Sequence, residues 1–229
     1  MKALILAGGE GRRLRPLTND RPKPMLEMAG KPIIEWQIEW MKKHGVNSFV
    51  ILAGYMKERL VEHLGTGAKL GVDISFQMEG EPLGTGGAVK SARAAFDKEE
   101  RFVVANGDII TNFDLSKLIA MNKNVATISL TPLRSTYGIV DTDGIRAVAF
   151  REKPLVKDYW LNAGIYVMTR EIFDYLPDKG SLEVSIFPKL VALGLMDAIK
   201  FDDVYWSSID SFKDFEETST DLGNGQVYK

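Results

Sequence analysis

The chain has 229 residues, 45% hydrophobic and 26% charged, the proportions of a soluble globular protein long enough to bury a sizeable core. Basic and acidic residues number 29 and 31, so no overall field draws the chain to nucleic acid or a membrane surface, and any anion must be caught by a local cluster. The lack of cysteine removes disulfides, thiolate metal sites and cysteine nucleophiles, and suits a reducing compartment.

Residues 2–7 (KALILA) form a short apolar run closed by glycines, the pattern of a buried parallel strand and too short for a signal-peptide core. A helix is predicted over 33–44, where Ile34, Ile38 and Met41 recur at helical spacing and Gly45 supplies the stop. A strand over 49–53, a helix over 55–64, a strand over 72–77, an alanine-rich helix over 84–96 and a strand over 101–105 follow, the last ending at Asn106-Gly107-Asp108. Strand, crossover helix and strand in repetition imply right-handed crossovers and a three-layer α/β/α, Rossmann-like fold with a mostly parallel mixed sheet. From Val125 the pattern loosens into strands with turn chemistry, such as Asp141-Thr142-Asp143-Gly144 between strands over 138–140 and 145–150. Helices return at about 170–175, 183–193 and 211–221. No linker or repeat divides the chain, so a single domain over 1–229 is expected, with halves meeting near residue 110. No stretch approaches the roughly 20 apolar residues needed to span a bilayer, and the reading is cytoplasmic. Trp36 and Trp40, four apart on one helix, suit a core-facing stripe better than a homo-oligomer interface.

Ligands of open α/β sheets sit beyond the carboxyl ends of the strands, and three unusual segments follow three such ends. The first, Gly8-Gly9-Glu10-Gly11 with Arg12, Arg13, Arg15, Arg21 and Lys23, combines bare backbone amides with a dense run of cations and suits a polyphosphate. Leu14 stands where a dinucleotide fingerprint needs its third glycine. The second, Glu79-Gly80-Glu81-Pro82-Leu83-Gly84-Thr85-Gly86-Gly87-Ala88, lets a flat base lie against backbone, with Glu79 or Glu81 as acceptor-only groups. Guanine offers such a carboxylate two adjacent donors and uracil or thymine one, so the geometry leans toward GTP. The third is Asn106-Gly107-Asp108, whose aspartate follows a buried strand.

LAGGEGRRLRPLT with PKPM, EPLGTGGA, the GD pair, and the later YG, EKP and NAG segments together resemble the sugar-1-phosphate nucleotidyltransferases, over residues 2 to 217. The resemblance implies their α/β/α nucleotidyltransferase fold and a reaction joining a nucleoside triphosphate to a sugar-1-phosphate with release of pyrophosphate. GTP and mannose-1-phosphate are favoured, with UTP or dTTP and other sugars as alternatives. It implies nucleotide contacts from Leu6, Ala7, Gly8, Gly9, Gly11, Arg12, Arg13, Lys23, Glu79, Gly84 and Thr85, the first half of the chain being the nucleotide half. Sugar-phosphate contacts fall to Gly138, Glu152, Lys153, Asn162 and Gly164 in the second half. Arg13, Lys23 and Asp108 become the catalytic set, Asp108 as a ligand of Mg²⁺.

Two departures from the pattern bear on the chemistry. Arg12 replaces the usual threonine or serine, and Ser208 stands where the family's WxDIGT segment has its second metal-binding aspartate. A hydroxyl is a weak ligand for a hard cation, so Asp210, on the same side if the backbone is extended, is the expected second ligand. A weakly active or non-catalytic nucleotide-sugar-binding regulator is the alternative this departure keeps open. A glycosyltransferase built on Asp141-Thr142-Asp143 is disfavoured because that segment reads as a hairpin turn, and a cytidylyltransferase because the EKP and NAG segments are present. With Lys229 soon after the last predicted helix, the expectation is a short form without the β-helix extension of some relatives.

Overall fold

Alternation along the first strand builds two apolar layers: Ala3, Ile5 and Ala7 join one buried cluster with Ile34, Ile38, Phe49, Leu60 and Leu115, while Leu4 joins another with Val50, Val89, Phe102, Tyr166 and Leu190. A sheet buried on both faces between helices is the physical content of the three-layer expectation. The computed structural model describes residues 1–228; Lys229, the last residue of the expected domain, lies outside the described residues. The main sheet has seven strands, β1 (Lys2–Ala7), β2 (Ser48–Ala53), β3 (Asp73–Met78), β4 (Arg101–Asn106), β5 (Ala126–Arg134), β6 (Leu155–Thr169) and β7 (Met196–Lys200). Their spatial order is β7-β5-β6-β4-β1-β2-β3. The β4-β1-β2-β3 run and the β5-β7 pair are parallel, whereas β6 is antiparallel to both β4 and β5. The helices are α1 (Ile33–Lys43), α2 (Lys57–Leu64), α3 (Gly84–Ser91), α4 (Leu115–Met121), α5 (Phe187–Ala192) and α6 (Phe212–Gly223). None among the described residues is long and apolar enough to cross a membrane.

Several predicted elements change character. The helix predicted over 84–96 stops at Ser91, and a 3-10 turn over Arg93–Phe96 swings the Phe96 ring against Phe102, with centroids 4.3 Å apart. The helix predicted over 183–193 begins as a π turn over Leu182–Ile186. Pro188 has no N–H for the carbonyl one turn back, and the turn widens there before α5. Asp141-Thr142-Asp143 is not the hairpin's turn: it lies in the strand Ile139–Asp143, and Asp143 pairs with Arg146 across a two-residue Gly144-Ile145 loop. Trp40 is buried and Trp36 stacks on Tyr228, so both rings of the α1 stripe pack inward.

A third buried cluster positions the site. Leu14, Leu26, Met28, Ile33, Ile110, Ile209 and Leu222 bring together the loop after β1, a ribbon in which Ile109–Thr111 pairs antiparallel with Trp206–Ser208, and α6.

Candidate active site

A cleft of about 480 Å³ opens at the carboxyl ends of β1 and β4, and all eleven expected nucleotide contacts, Leu6, Ala7, Gly8, Gly9, Gly11, Arg12, Arg13, Lys23, Glu79, Gly84 and Thr85, line it, with Asp108 and Asp210. Its loop is anchored rather than loose. Gly11 adopts φ +61°, Leu14 plugs the third cluster, and the Thr18 hydroxyl donates to the Gly11 carbonyl at 3.0 Å.

The cations of that loop divide by task. Arg12 folds back on Glu10 in a two-pronged pair at 2.6 and 2.9 Å, and Arg21 pairs with Asp20 on a different surface. Lys23 is the buried one, 12% exposed, and its ammonium donates to Asp108 Oδ2 at 2.6 Å and to Asp210 Oδ1 at 3.1 Å. The Arg13 guanidinium lies 3.5 Å from the same Asp210 oxygen and is otherwise exposed.

The two aspartates meet because the ribbon sets Ser208 opposite Ile109, and Ile209 N–H donates to the Asp108 carbonyl at 3.0 Å. Asp210 does not follow the extended path expected from the sequence. Its N–H turns back onto the Ser208 carbonyl at 3.1 Å, and that tight turn swings the carboxylate toward Lys23. Ser208 Oγ donates to Asp210 Oδ2 at 2.8 Å, and Ser211, the next residue, caps α6 in a reciprocal pair with Asp214. Burial alone would raise the Asp210 carboxyl's pKa, but Lys23, Ser208 and Arg13 outweigh it and hold it below the ordinary value.

Glu79, at the end of β3, marks the opposite end of the cleft. Its Oε2 packs where a side chain on Gly8 would stand, so a larger residue at 8 would displace the carboxylate, while a Cβ on Gly54 would fall 2.8 Å from the Gly8 carbonyl oxygen, so position 54 needs glycine. Burial pushes the Glu79 carboxyl's pKa up, partly offset by the Leu83 N–H. Leu52, Pro82, Leu83 and Ala88 form an apolar wall beside it. Glu81, the other candidate, is exposed and does not line the cleft. The amides of Gly86 and Gly87 at the start of α3 are occupied, donating to the Gly180 carbonyl at 2.8 and 3.3 Å. The Thr85 hydroxyl donates to Glu183 and accepts from Leu182 N–H, so it braces the wall it helps to form.

The expected sugar residues form two groups, neither lining the cleft. Asn162 and Gly164 lie on β6 where its pairing with β5 slips. Asn162 holds Gly164 N–H at 2.9 Å, and Gly164, at φ +75°, packs against Asn106 of the cleft wall. Gly138, Glu152 and Lys153 sit together in and beside the exposed hairpin, whose strands lie outside the main sheet. Phe150 covers Gly138, and Lys153 reaches Glu152 at 3.7 Å. His44 and His63 lie away from the cleft, paired with Ser116 and Glu35. Reasoning from sequence missed Leu14, Pro24, Leu52 and Asn106 as lining residues. Leu14, Pro24 and Asn106 stood inside the LAGGEGRRLRPLT, PKPM and Asn106-Gly107-Asp108 segments without being assigned to the lining, whereas Leu52 carried no signal.

Two carboxylates converge on the Lys23 ammonium, and among the described residues no group of three or more acidic or histidine side chains could hold a metal. This donor set fits Mg²⁺, which takes one or two carboxylates and completes its shell with phosphate and water oxygens.

The chain is 38% identical over 225 residues to the mannose-1-phosphate guanylyltransferase catalytic subunit beta of Dictyostelium discoideum, covering 94% of this chain and 62% of that protein. It therefore spans less than two thirds of that relative's length. It is 35% identical over 198 residues to the D-glycero-alpha-D-manno-heptose 1-phosphate guanylyltransferase of Aneurinibacillus thermoaerophilus, covering 82% and 84% of the two chains. It is 32% identical over 240 residues to the UTP--glucose-1-phosphate uridylyltransferase of Synechocystis, covering 94% and 61%. Among solved structures, HddC from Yersinia pseudotuberculosis superposes with a TM-score of 0.78 at 29% identity, over 96% of this chain and 99% of that one, and HddC complexed with GMP-PN matches equally at 28%. The profile of the Nucleotidyl transferase family spans residues 2–225, and the chain belongs to that family.

Proposed function

We propose that the chain acts as one nucleotidyltransferase domain, joining GTP to mannose-1-phosphate or a closely related sugar-1-phosphate, with release of pyrophosphate. The observation that carries this reading is the polarity of the cleft. Lys23, Arg13, Asp108 and Asp210 gather at one end, and at the other an acceptor-only carboxylate faces an apolar wall. Those ends suit a phosphate chain and a base. The preference for guanine draws support from Glu79, from two guanylyltransferase relatives and from the HddC complex with GMP-PN. A cysteine-free sequence supports a cytoplasmic setting.

The attacking group is a sugar-phosphate oxygen. A phosphate monoester with a second pKa of about 6 is already largely dianionic at neutral pH, so no general base is required, which agrees with two histidines that lie outside the cleft. The obstacle is electrostatic: a dianion must approach a triphosphate, and charge must be stabilised as pyrophosphate departs. Lys23 and Arg13 neutralise the phosphate chain, and Glu79 orients the base so that the α-phosphate is presented for in-line attack. Mg²⁺, held by Asp108 and Asp210 in this reading, would supply further charge neutralisation at the phosphates. Asn162 and Gly164, adjoining Asn106, support an acceptor site at the Asp108 end; Gly138, Glu152 and Lys153 are assigned to it by their YG and EKP segments.

The test is pyrophosphate release with Mg²⁺ from GTP, UTP, dTTP, ATP and CTP, each against a panel of sugar-1-phosphates. Release with GTP and a manno-configured acceptor is the expected result. Nucleoside diphosphate as the product would make the protein a glycosyltransferase. Thermal stabilisation by nucleotide or nucleotide-sugar without release would make it a regulator, the role that Ser208 in place of a carboxylate keeps open.

A further inference from the structure

Most of the buried positions of α1 are apolar, Ile33, Ile34, Ile38, Trp40 and Met41 among them, yet Gln37 in the middle of that face is only 2% exposed. A buried amide is unfavourable unless its groups are paired. Gln37 pairs only its nitrogen. Nε2 donates to the Asn106 carbonyl at 2.7 Å and to the Ile109 carbonyl at 2.9 Å, while Oε1 is buried with no partner. A methionine of similar size would leave no orphaned oxygen, so satisfying its own polar atoms does not account for glutamine here.

The two carbonyls it holds, in the 106–107 and 109–110 peptide groups, lie on either side of Gly107-Asp108, where β4 leaves the main sheet and the chain enters the ribbon. That step is tied from two further directions. Gly107 N–H donates to the Leu6 carbonyl at 3.0 Å, and the Asp108 carbonyl accepts from Ile209 N–H at 3.0 Å. A Cβ at Gly107 would fall 2.6 Å from the Leu6 oxygen, which shows how closely the segment lies against β1. Gln37 closes the remaining side, from the helix layer.

We propose that Gln37 is a positioning residue for Asp108: from α1, outside the cleft, it holds the carbonyl before Gly107 and the carbonyl of Ile109 just after Asp108, and so sets the direction of the carboxylate that meets Lys23. This rests on the nucleotidyltransferase reading and deepens it. Supports one layer behind a ligand group commonly change metal affinity or activity about 10–100-fold when removed.

The test compares Gln37→Met with Ile38→Val, a change in the same helix and core that touches neither carbonyl. The expected result for Gln37→Met is a kcat lower by about tenfold or more, an Mg²⁺ concentration for half-activation raised by about tenfold, and a KM for GTP within about threefold of the parent. Amide hydrogen exchange over 104–110 should accelerate selectively. Ile38→Val should lower Tm without the kinetic split or the local exchange. If the two variants behave alike, the proposal is overturned. Should Gln37→Met not fold, Gln37→Glu decides: its neutral carboxyl keeps one donor and its ionised form none, so activity relative to the parent should fall as pH rises, and a flat ratio overturns the proposal. If the parent releases no pyrophosphate with any substrate pair, the functional reading fails, and the exchange comparison still decides whether Gln37 holds the Asp108 step.

Discussion

Lys23→Met removes the charge that joins the two aspartates and keeps the aliphatic stem, whose Cβ packs 3.1 Å from where a side chain on Gly11 would begin. Hydrogen bonds to charged groups contribute about 1.5–3 kcal/mol each when well buried. The Lys23 side chain is 12% exposed, but those of its acceptors are 25% and 41% exposed, so solvent screening reduces the joint loss to about 1–3 kcal/mol. At about 2–4 °C per kcal/mol for a chain of this size, Tm should fall by roughly 2–12 °C. Asp210's carboxyl is held below its ordinary 3.8, so its share of stability is present above that pH and lost as pH falls through the lowered value. The Tm gap between parent and variant is therefore fullest near neutrality and narrows in acid. Catalysis should suffer more, because a fixed cation beside developing charge is worth about 10²–10³ in rate. Calorimetry across pH and pyrophosphate-release kinetics measure both. A kcat/KM within threefold of the parent, or a Tm gap that widens on acidification, would refute the assignment of Lys23.

Three further perturbations probe the rest of the cleft. Glu79's carboxyl is raised above 4.5 by burial, so its contribution to stability is present below that pH and lost as pH rises through the raised value. Glu79→Gln should thus leave Tm at pH 7 equal or higher while weakening GTP binding by about tenfold or more, and a lower Tm would contradict the burial argument. Ser208→Asp sets a carboxylate where a hydroxyl now donates to Asp210 at 2.8 Å. It should lower Tm in chelator and respond more steeply to Mg²⁺ than the parent, and identical responses would remove Ser208 from the site. Gly8→Ala forces Glu79 away from the loop and should weaken GTP binding by about tenfold; unchanged affinity by calorimetric titration would show that Glu79 does not face the nucleotide.

The nucleotide end was legible because its chemistry is local. KALILA followed by glycines and cations states a strand and its loop within a few residues, and the eleven positions that the family resemblance assigned to nucleotide, from this loop and from the 79–88 segment, all line the cleft. Asp210's place was legible only in part: the sequence suggested an extended path from Ser208, whereas a tight turn delivers the carboxylate. The ribbon that sets this up joins two three-residue strands some 95 positions apart, and pairings so short and distant leave no periodic trace. Gln37 was hidden for a related reason, since one amide in an amphipathic helix reads as an ordinary half-exposed position until its carbonyl partners are located. The sugar motifs were recognisable as segments, but their placement in two separate groups follows from the register slip in β6 and the free-standing hairpin, neither of which composition encodes.

The seam between α3 and Gly180 constrains how this chain can be re-engineered. Gly84, Gly86 and Gly87 sit so close to the backbone of 178–182 that a Cβ at Gly84 or Gly87 would fall 2.5 Å from a carbonyl oxygen of that segment. A chimera that exchanged only residues 1–110 with a relative would seat this glycine-rich turn on a foreign surface and disturb the apolar wall beside Glu79. Swaps intended to change nucleotide choice should therefore carry residues 178–183 with them, although those residues lie more than ninety positions downstream of the turn they complete.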